Sequence, residues 1–173
     1  MGLFMKNLKF LSLATVICII LANPISLEAV DINDLSNRFD NAIAANDLNE
    51  ISDLIGEASH IEGGVNAVHK AGSPKTPLFE AVKKDKREII RLLIEAGADF
   101  NQQIGPVRIS PLHLAATHHK SDAVRALIEY GGDELNLEIT NARGTTPLQW
   151  ARANAPEIAQ ILQDEIARRN EAA

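Results

Sequence analysis

A six-residue phrase that occurs three times constrains the fold more than any other feature of the sequence. Its copies read TPLFEA, SPLHLA and TPLQWA, and they begin at Thr76, Ser110 and Thr146, at intervals of 34 and 36 residues. Thr or Ser followed by Pro is typical of a helix N-cap and of the first helical position. A period of this length predicts a stack of small helical units, each resting on its neighbours.

A second phrase follows the first two copies and predicts a second helix in each unit. It occupies 92–101 and 127–136, and Glu134 is a one-residue insertion in the later copy. Apolar side chains at helical spacing precede a glycine in both copies, at Gly97 and at Gly131. We expect each glycine to end its helix in a left-handed cap. Each unit is therefore predicted to be helix, turn, helix and hairpin.

Together the two phrases resemble the ankyrin repeat, whose period is about 33 residues and whose phrase is Thr-Pro-Leu-His-x-Ala. The resemblance covers roughly residues 34–165. It implies an all-α ankyrin-repeat solenoid of about four helix-turn-helix repeats with short β-hairpin loops. Pro74 and Arg108 stand where the family usually has glycine, so we expect these two hairpins to be looser or differently turned. The third hairpin, at 141–147, fits the family closely.

The two ends of the chain depart from the phrase, as terminal repeats of a solenoid do because their outer faces meet water. A degenerate first repeat is expected to bury Phe39, Ala42, Ile51, Leu54 and Ala58. The resulting division is a signal peptide at 1–29, an N-terminal cap repeat at 30–66, ankyrin repeats at 67–101 and 102–136, a C-terminal ankyrin repeat at 137–165, and a tail at 166–173 whose last residues fray.

The segment before the repeats has the layout of a secretory signal peptide. Lys6 and Lys9 precede an apolar run of 13 residues at 10–22, which is shorter than the roughly 20 residues that a membrane span needs. We expect cleavage after Ala29, and cleavage after Ala22 is the alternative. The layout predicts a periplasmic or secreted protein of a bacterium.

Other interpretations of this segment stay open. Met5 begins a more typical leader and is a second candidate start. A retained membrane anchor or a buried N-terminal helix would also contain an apolar run. The chain's single cysteine, Cys18, lies within the run, so the mature protein would hold no disulfide and no Cys-ligated metal.

Charge is distributed unevenly along the chain. The formal net charge is −6, which disfavours non-specific binding to nucleic acid or to an anionic membrane. Residues 30–66 carry eight carboxylates and a single base, Arg38, whereas residues 67–173 carry fourteen charges of each sign. The acidic excess of the mature protein therefore lies on the first repeat.

The resemblance also implies where a partner binds, because ankyrin-repeat proteins usually meet their partners with the hairpin tips and the end of each first helix. Bases occupy six of these positions in the sequence, and no acid occupies any. One sign of charge on such a surface predicts a protein partner with an acidic contact surface, and the alternative is an ordinary solvated face. The candidate partner-binding residues are Lys75, Lys83, Lys84, Arg108, Ile109, Thr117, His118, Arg143, Thr145 and Arg152.

No motif in the sequence predicts catalysis, a metal site or a cofactor: a nucleophile elbow, a P-loop and a Gly-rich dinucleotide turn are all missing. By the resemblance, His113 braces neighbouring loops, and His119 replaces the glycine between helices. His118 and His119 are adjacent and point about 100° apart around a helix, so they cannot easily share one ion. The bulky Phe79 and Trp150 are expected in the core.

The sequence therefore predicts an exported, non-enzymatic protein that binds another protein. Two alternative roles stay open: a secreted effector that acts on host proteins, and an accessory or stabilising subunit of a periplasmic enzyme. A metal-dependent hydrolase built on the histidines is the enzymatic alternative.

Overall fold

The computed structural model describes residues 31–69 and 75–172. Within these ranges the chain forms eight α-helices. They are α1 Ile32–Ala45, α2 Leu48–Ala58, α3 Pro77–Lys83, α4 Arg87–Glu95, α5 Pro111–Thr117, α6 Ser121–Gly131, α7 Pro147–Asn154 and α8 Pro156–Ala172. Short 3-10 turns at Gly64–Asn66 and Gly132–Glu134 follow α2 and α6. The prediction of an all-α solenoid is confirmed.

Consecutive helices pack in pairs, and the pairs stack side by side. The helices α1, α3, α5 and α7 contact one another in sequence and form an inner layer. The helices α2, α4, α6 and α8 do the same and form an outer layer. Each helix therefore packs against its own partner and against the equivalent helix of the next repeat, which is the arrangement that the repeated phrase predicts.

The Thr/Ser-Pro phrase begins the inner helices. Ser110 and Thr146 each accept a hydrogen bond from the third amide of the helix, and the third side chain bonds back to the amide of the cap. These reciprocal capping boxes satisfy two amides that a first helical turn leaves without partners. Thr76 has the same extended backbone, but its side chain makes no cap bond to α3.

A continuous core runs between the two layers. The alanine of the phrase is fully buried in each inner helix, and its small side chain lets neighbouring helices approach closely. Phe79 is 1% exposed, as predicted. The five residues predicted as the core of the degenerate first repeat are all buried: Phe39, Ala42, Ile51, Leu54 and Ala58. The repeat register predicted from the sequence is therefore correct for the alanine of the phrase and for the core of the first repeat.

Asparagine side chains hold successive repeats together beyond the ends of the outer helices. The side-chain amide of Asn66 donates to the carbonyl of Gly97 at 2.9 Å, and its oxygen accepts from the amide of Asp99 at 2.8 Å. Asn101 makes the same two bonds to the following repeat, at 2.8 and 2.9 Å. Each asparagine thus satisfies backbone groups that the end of a helix leaves free.

The turn inside each of the first three helix pairs contains one residue with left-handed backbone. Asn46, Asp85 and His119 take this role, with φ of 59°, 59° and 54°. These residue types tolerate positive φ better than most, and the prediction for His119 is confirmed. The carboxylate of Asp85 also accepts from the amide of Ala123 at 2.7 Å, so it caps α6 from the preceding repeat.

The two glycines at the ends of the outer helices behave differently. Gly97 has φ +84°, which is the predicted left-handed cap after α4. The same prediction for Gly131 is wrong, because it is the last residue of α6 with φ −81°, and Gly132 takes φ +53° instead. A Cβ at Gly131 would lie 3.2 Å from the Cβ of Leu135 and 3.5 Å from the ring of Phe100. Close packing, rather than backbone conformation, favours glycine at this position.

The last helix is longer than predicted. The sequence assigns 166–173 to a tail, whereas α8 continues through that segment to its penultimate residue. Ile166 packs against the core, and the Arg169 guanidinium donates to the carbonyls of Gly132 and Leu135, each at 2.8 Å. These contacts with the preceding repeat keep the segment helical.

Two predictions concern residues outside the described ranges. They are the signal peptide at 1–29, with its cleavage after Ala29, and the altered turn at Pro74.

Candidate functional site

The last three inner helices, α3, α5 and α7, each place three equivalent residues on one surface. These are the fourth, seventh and eighth residues after the N-cap, and residues three or four apart are neighbours on a helix. We call the nine residues the inner face. They are Glu80, Lys83 and Lys84 from α3, Leu114, Thr117 and His118 from α5, and Trp150, Ala153 and Asn154 from α7.

The α3 end of the inner face is charged. The ammonium groups of Lys83 and Lys84 each lie 3.9 Å from a carboxylate oxygen of Glu80. The mapping of contact positions from the sequence omits this acid, although its helical spacing from the two lysines could have revealed it. The lysine side chains are 42% and 46% exposed and share this carboxylate. This end of the inner face therefore keeps a surplus of positive charge.

The α7 end of the inner face is apolar. Trp150 is 36% exposed, so the prediction that it lies in the core is wrong. It occupies the fourth position after the N-cap, whereas the second and fifth positions, such as Leu112 and Ala115, point into the core. Leu114, the equivalent of Trp150 one repeat earlier, is half-buried against the core.

The middle of the inner face is polar. Thr117 and His118, both predicted contact residues, are exposed at the end of α5. The Thr117 hydroxyl donates to the carbonyl of His113 at 2.8 Å. In the next repeat the Asn154 amide donates to the carbonyl of Trp150 at 3.0 Å. The inner face thus carries charged residues only on the α3 side, and its large apolar side chains, Leu114 and Trp150, lie on α5 and α7 among polar residues.

The structure does not bring Arg152 onto the inner face with Lys83 and Lys84. It is the sixth residue after its N-cap, which is the position of Val82 and Ala116, both fully buried. Successive helical residues are about 100° apart, so Arg152 points to a different side of α7, where it is exposed. The prediction that Arg152 shares one surface with Lys83 and Lys84 is therefore wrong. Whether Arg152 contributes to partner binding stays a prediction.

The hairpin before α5 is closed, although Arg108 stands at the usual glycine. Ile104 and Ile109 form an antiparallel bridge with backbone bonds of 2.9 and 3.0 Å. Arg108 itself adopts the left-handed backbone, with φ 54°. Gln103 holds it there, because its amide donates to the Arg108 carbonyl at 3.0 Å and its oxygen accepts from the guanidinium at 2.6 Å. The expectation of a looser turn is therefore wrong for this hairpin.

The hairpin before α7 is organised by Asn141. Its side-chain oxygen accepts from the amides of Arg143 and Thr145 at 2.8 and 3.1 Å. The Ala142 amide donates to the carbonyl of Val107 at 2.8 Å, so the tips of the two hairpins are in contact. The exposed guanidinium of Arg143 pairs with no carboxylate among the described residues.

The remaining predicted contact residues lie where a hairpin joins an inner helix. Lys75, Ile109 and Thr145 each stand one residue before an N-cap. Lys75 is exposed and has no carboxylate partner in the part of the chain described, and Ile109 is half-buried by its bridge. The structure therefore places Lys75, Arg108 and Arg143 on the hairpin side, adjoining the inner helices.

His113 has a structural role, as the resemblance implies. Its ring is 3% exposed, with Nδ1 2.8 Å from the Ser110 hydroxyl and Nε2 2.9 Å from the carbonyl of Thr145 in the next repeat. Both ring nitrogens are therefore engaged. Burial lowers the pKa of His113 below its ordinary value, because a buried ring is harder to charge.

The described residues contain neither a metal-ligand cluster nor a helix that could span a membrane. Residues 31–69 and 75–172 contain no group of three or more His, Cys, Asp or Glu side chains that could hold a metal ion. In the same ranges, every helix is too short or too polar to cross a membrane.

Comparison with known proteins places the likeness in the repeats. The family model described as ankyrin repeats (3 copies) matches residues 78–171, more than half of the chain. The chain is 30% identical over 105 residues to BRCA1-associated RING domain protein 1 of Caenorhabditis elegans, which covers 61% of this chain and 14% of that protein. It is 31% identical over 100 residues to ankyrin repeat and SOCS box protein 9 of Homo sapiens, covering 58% and 32%.

A plant protein shows the same pattern. Regulatory protein NPR5 of Arabidopsis thaliana is 36% identical over 76 residues, which cover 43% of this chain and 15% of that protein. In these three comparisons the matched region spans no more than about a third of the relative's length.

Proposed function

Because the chain belongs to the ankyrin-repeat family, we propose that it binds a partner protein across the inner face and the hairpin tips, and that the partner presents an acidic surface to them. Ankyrin repeats mediate contacts between proteins and typically carry no catalytic activity. The observation that carries the proposal is the incomplete pairing of Lys83 and Lys84, which share the carboxylate of Glu80.

The other bases of the described residues are paired to different extents. On the outer layer, Arg91 lies 3.1 Å from Glu88 and 3.0 Å from Glu95, so its charge is matched twice over. On the hairpin side, Lys75 and Arg143 have no carboxylate partner within the described ranges. Unmatched cations on one side of a protein steer an acidic partner toward that side and raise the association rate more than the final affinity.

A kinetic comparison of two matched variants tests the proposed surface. The partner is captured with immobilised mature protein, purified, and its association rate is measured at low and high salt. Lys84→Glu should slow association about tenfold or more, and salt should shrink the difference because screening acts over about 8 Å at physiological ionic strength. Arg125→Glu makes the same charge change at an exposed position of α6, and it should leave the rate nearly unchanged.

A second control reverses charge on the acidic first repeat. Asp53→Lys with Glu62→Lys is suitable because both side chains are exposed. Asp47 and Glu50 are unsuitable, since Asp47 caps α2 and Glu50 forms an ion pair. If the Asp53/Glu62 variant loses the partner while Lys84→Glu keeps it, the binding surface lies on the first repeat and the proposed surface is wrong.

We also propose that the protein is exported, loses residues 1–29, and works in the periplasm or outside the cell. The basic start and short apolar run of the leader support export. A cut after Ala29 would leave Asp31 in the mature chain, where its carboxylate accepts from two amides of α1 at 2.9 and 3.4 Å. N-terminal sequencing of the exported protein should find a start between residues 23 and 31. An intact leader in the membrane fraction would contradict cleavage.

The identity of the captured partner separates the two roles that this proposal leaves room for. A periplasmic enzyme that co-purifies in a fixed ratio would make the protein an accessory subunit. A host protein bound by the secreted form would make it an effector.

A further inference from the structure

The inner face has basic side chains at its α3 end and a large exposed apolar side chain at its α7 end. The positions of the bases do not explain the apolar side chain. Three large apolar side chains among the described residues remain 36% exposed or more, and two of them, Val107 and Trp150, lie on a hairpin tip and on the inner face. The equivalent of Trp150 in α3 is the charged Glu80, and in α5 it is the half-buried Leu114. An exposed indole therefore is not a requirement of the repeat itself.

We propose that Trp150 is the apolar anchor of the binding site, and that the partner contributes an extended acidic segment. Its carboxylates lie over Lys83 and Lys84, and an apolar side chain packs on Trp150 and Leu114. This inference rests on the proposed function and deepens it, because it fixes the chemistry and the orientation of the bound segment. Tryptophan suits such a role because its large, rigid side chain offers much contact area for little loss of conformational freedom.

The architecture sets the spacing within that segment. The charged end of the inner face is on α3, the apolar end is on α7, and α5 lies between them. Packed helices lie 8–10 Å apart, so the two ends are separated by about 20 Å. An extended chain advances about 3.3 Å per residue. About six residues should therefore connect the acidic part of the segment with its apolar side chain.

Defined peptides test this chemistry without the natural partner. The probe is a fluorescein-labelled, tryptophan-free peptide with a run of glutamates, a spacer of about six Ser and Thr residues, and a Phe-Leu pair, made in both chain directions. Control peptides shorten the spacer to about two residues, replace Phe-Leu with Ser-Ser, or replace the glutamates with lysines. The probe in one direction should bind the mature protein about tenfold more tightly than any control.

The chain itself supplies a second readout. Trp150 is its single tryptophan, so the emission of the protein should shift to shorter wavelength when the probe covers the indole. Equal binding of probe and controls, no binding of the probe in either direction, or an unchanged tryptophan emission would overturn the proposal.

Variants of the protein test separately whether Trp150 is the anchor and whether the basic surface binds the probe. Trp150→Ala should weaken probe binding about tenfold or more, and Trp150→Phe should restore much of it, with urea melts to show that both are folded. Lys84→Glu should weaken binding in a salt-dependent way, and Arg125→Glu should not. If only Lys84→Glu weakens binding, the anchor is wrong and the basic surface stands. If Arg125→Glu weakens binding and Lys84→Glu does not, the proposed surface itself is wrong.

Discussion

The first and last helix pairs of the stack are both held by arginines, but the two arrangements differ in what they join. In the first pair, Arg38 of α1 bonds both carboxylate oxygens of Glu57 at 2.8 Å and Glu50 at 3.1 Å, all within α1 and α2. In the last pair, Arg169 of α8 donates to backbone carbonyls in the turn that ends α6, at 2.8 Å. The first cluster ties one repeat to itself, and the second ties two repeats together.

Exposure adds to this difference. The side chains of Arg38, Glu50 and Glu57 are 38–40% exposed, whereas Arg169 is 19% and Glu165, its carboxylate partner, is 10% exposed. Exposed ion pairs contribute little because water and salt screen them, and hydrogen bonds from a charged group in a less exposed place contribute more. A solenoid is stable only if neighbouring repeats hold each other. We therefore expect the stack to depend more on Arg169 than on Arg38.

The largest loss of folding stability should come from a substitution in the middle of the stack, because the repeats on either side pack against it. Leu112 on α5 is 1% exposed, and Leu112→Ala should reduce the free energy of unfolding by about 2–5 kcal/mol because it leaves a cavity between repeats. His118→Ala, at the exposed residue that directly follows α5, should change it by less than about 0.5 kcal/mol. Urea melts measure both. Equal midpoints would contradict the repeat register.

The next largest effect should come from the contact between the last two repeats. Arg169→Met keeps the aliphatic stem but removes the donors, and we expect a loss of about 1.5–3 kcal/mol, the value of hydrogen bonds to charged groups. Arg168→Met is the neighbouring comparison, since Arg168 is 59% exposed and pairs with Glu165 and Asp133 but makes none of the bonds to the Gly132 and Leu135 carbonyls. Urea melts and hydrogen exchange in α8 check the prediction. If both variants melt alike, Arg169 does not couple the two repeats.

A smaller effect should appear as a dependence on pH. Hydrogen bonds from Arg168 and then from Arg169 lower the pKa of Glu165 from 4.5 to about 2. Because the folded-state value lies below the unfolded one, Glu165 stabilises the protein above pH 4.5, and this stabilisation is lost as the pH falls toward 2.

Comparison of the wild type with Glu165→Gln tests this dependence. The difference in their free energy of unfolding should be constant above pH 4.5 and should shrink between pH 4.5 and 2. A difference that stays constant throughout that range would show that the charge of Glu165 is unimportant and that only its shape matters.

The sequence predicted those features that depend on the residues of a single repeat. Pro after Thr or Ser begins a helix in all three copies of the phrase, and the buried Phe39 and Leu54 follow from their alignment with Leu78 and Leu93. The inter-repeat bond of His113 came from the family phrase. These features depend on local chemistry that recurs in each unit, so three copies of a phrase are enough to establish them.

The features that the sequence did not predict depend on contacts that the repeated phrases do not encode. Gly131 is in a tight place because a Cβ there would lie 3.2 Å from the Cβ of Leu135. Arg108 keeps a closed turn because Gln103 bonds to it on both sides. Trp150 was assigned to the core by its size, although the residues at the equivalent position after the N-cap, Glu80 and Leu114, are only partly buried. Residue type misled there, and register would have been the better guide.

The smallest effect should come from the first repeat. Arg38→Met removes a guanidinium that is 38% exposed, so the direct loss should be only about 0.2–1 kcal/mol. It also leaves Glu50 and Glu57 unpaired in a repeat that holds eight carboxylates and no other base between residues 30 and 66. The remaining repulsion acts through water and falls off over about 8 Å at physiological ionic strength. Added salt should therefore restore much of the lost stability.

The same salt series sharpens the comparison between the two ends. Arg169→Met should respond to salt much less, because the bonds it loses go to backbone carbonyls rather than to carboxylates. Urea midpoints of the two variants at low and high salt measure this. Arg38→Met could instead be insensitive to salt and as destabilising as Arg169→Met. The charges of the first repeat would then couple that repeat to the second one as strongly as α8 couples the last two repeats. The two ends would then be held in the same way, despite their different contacts.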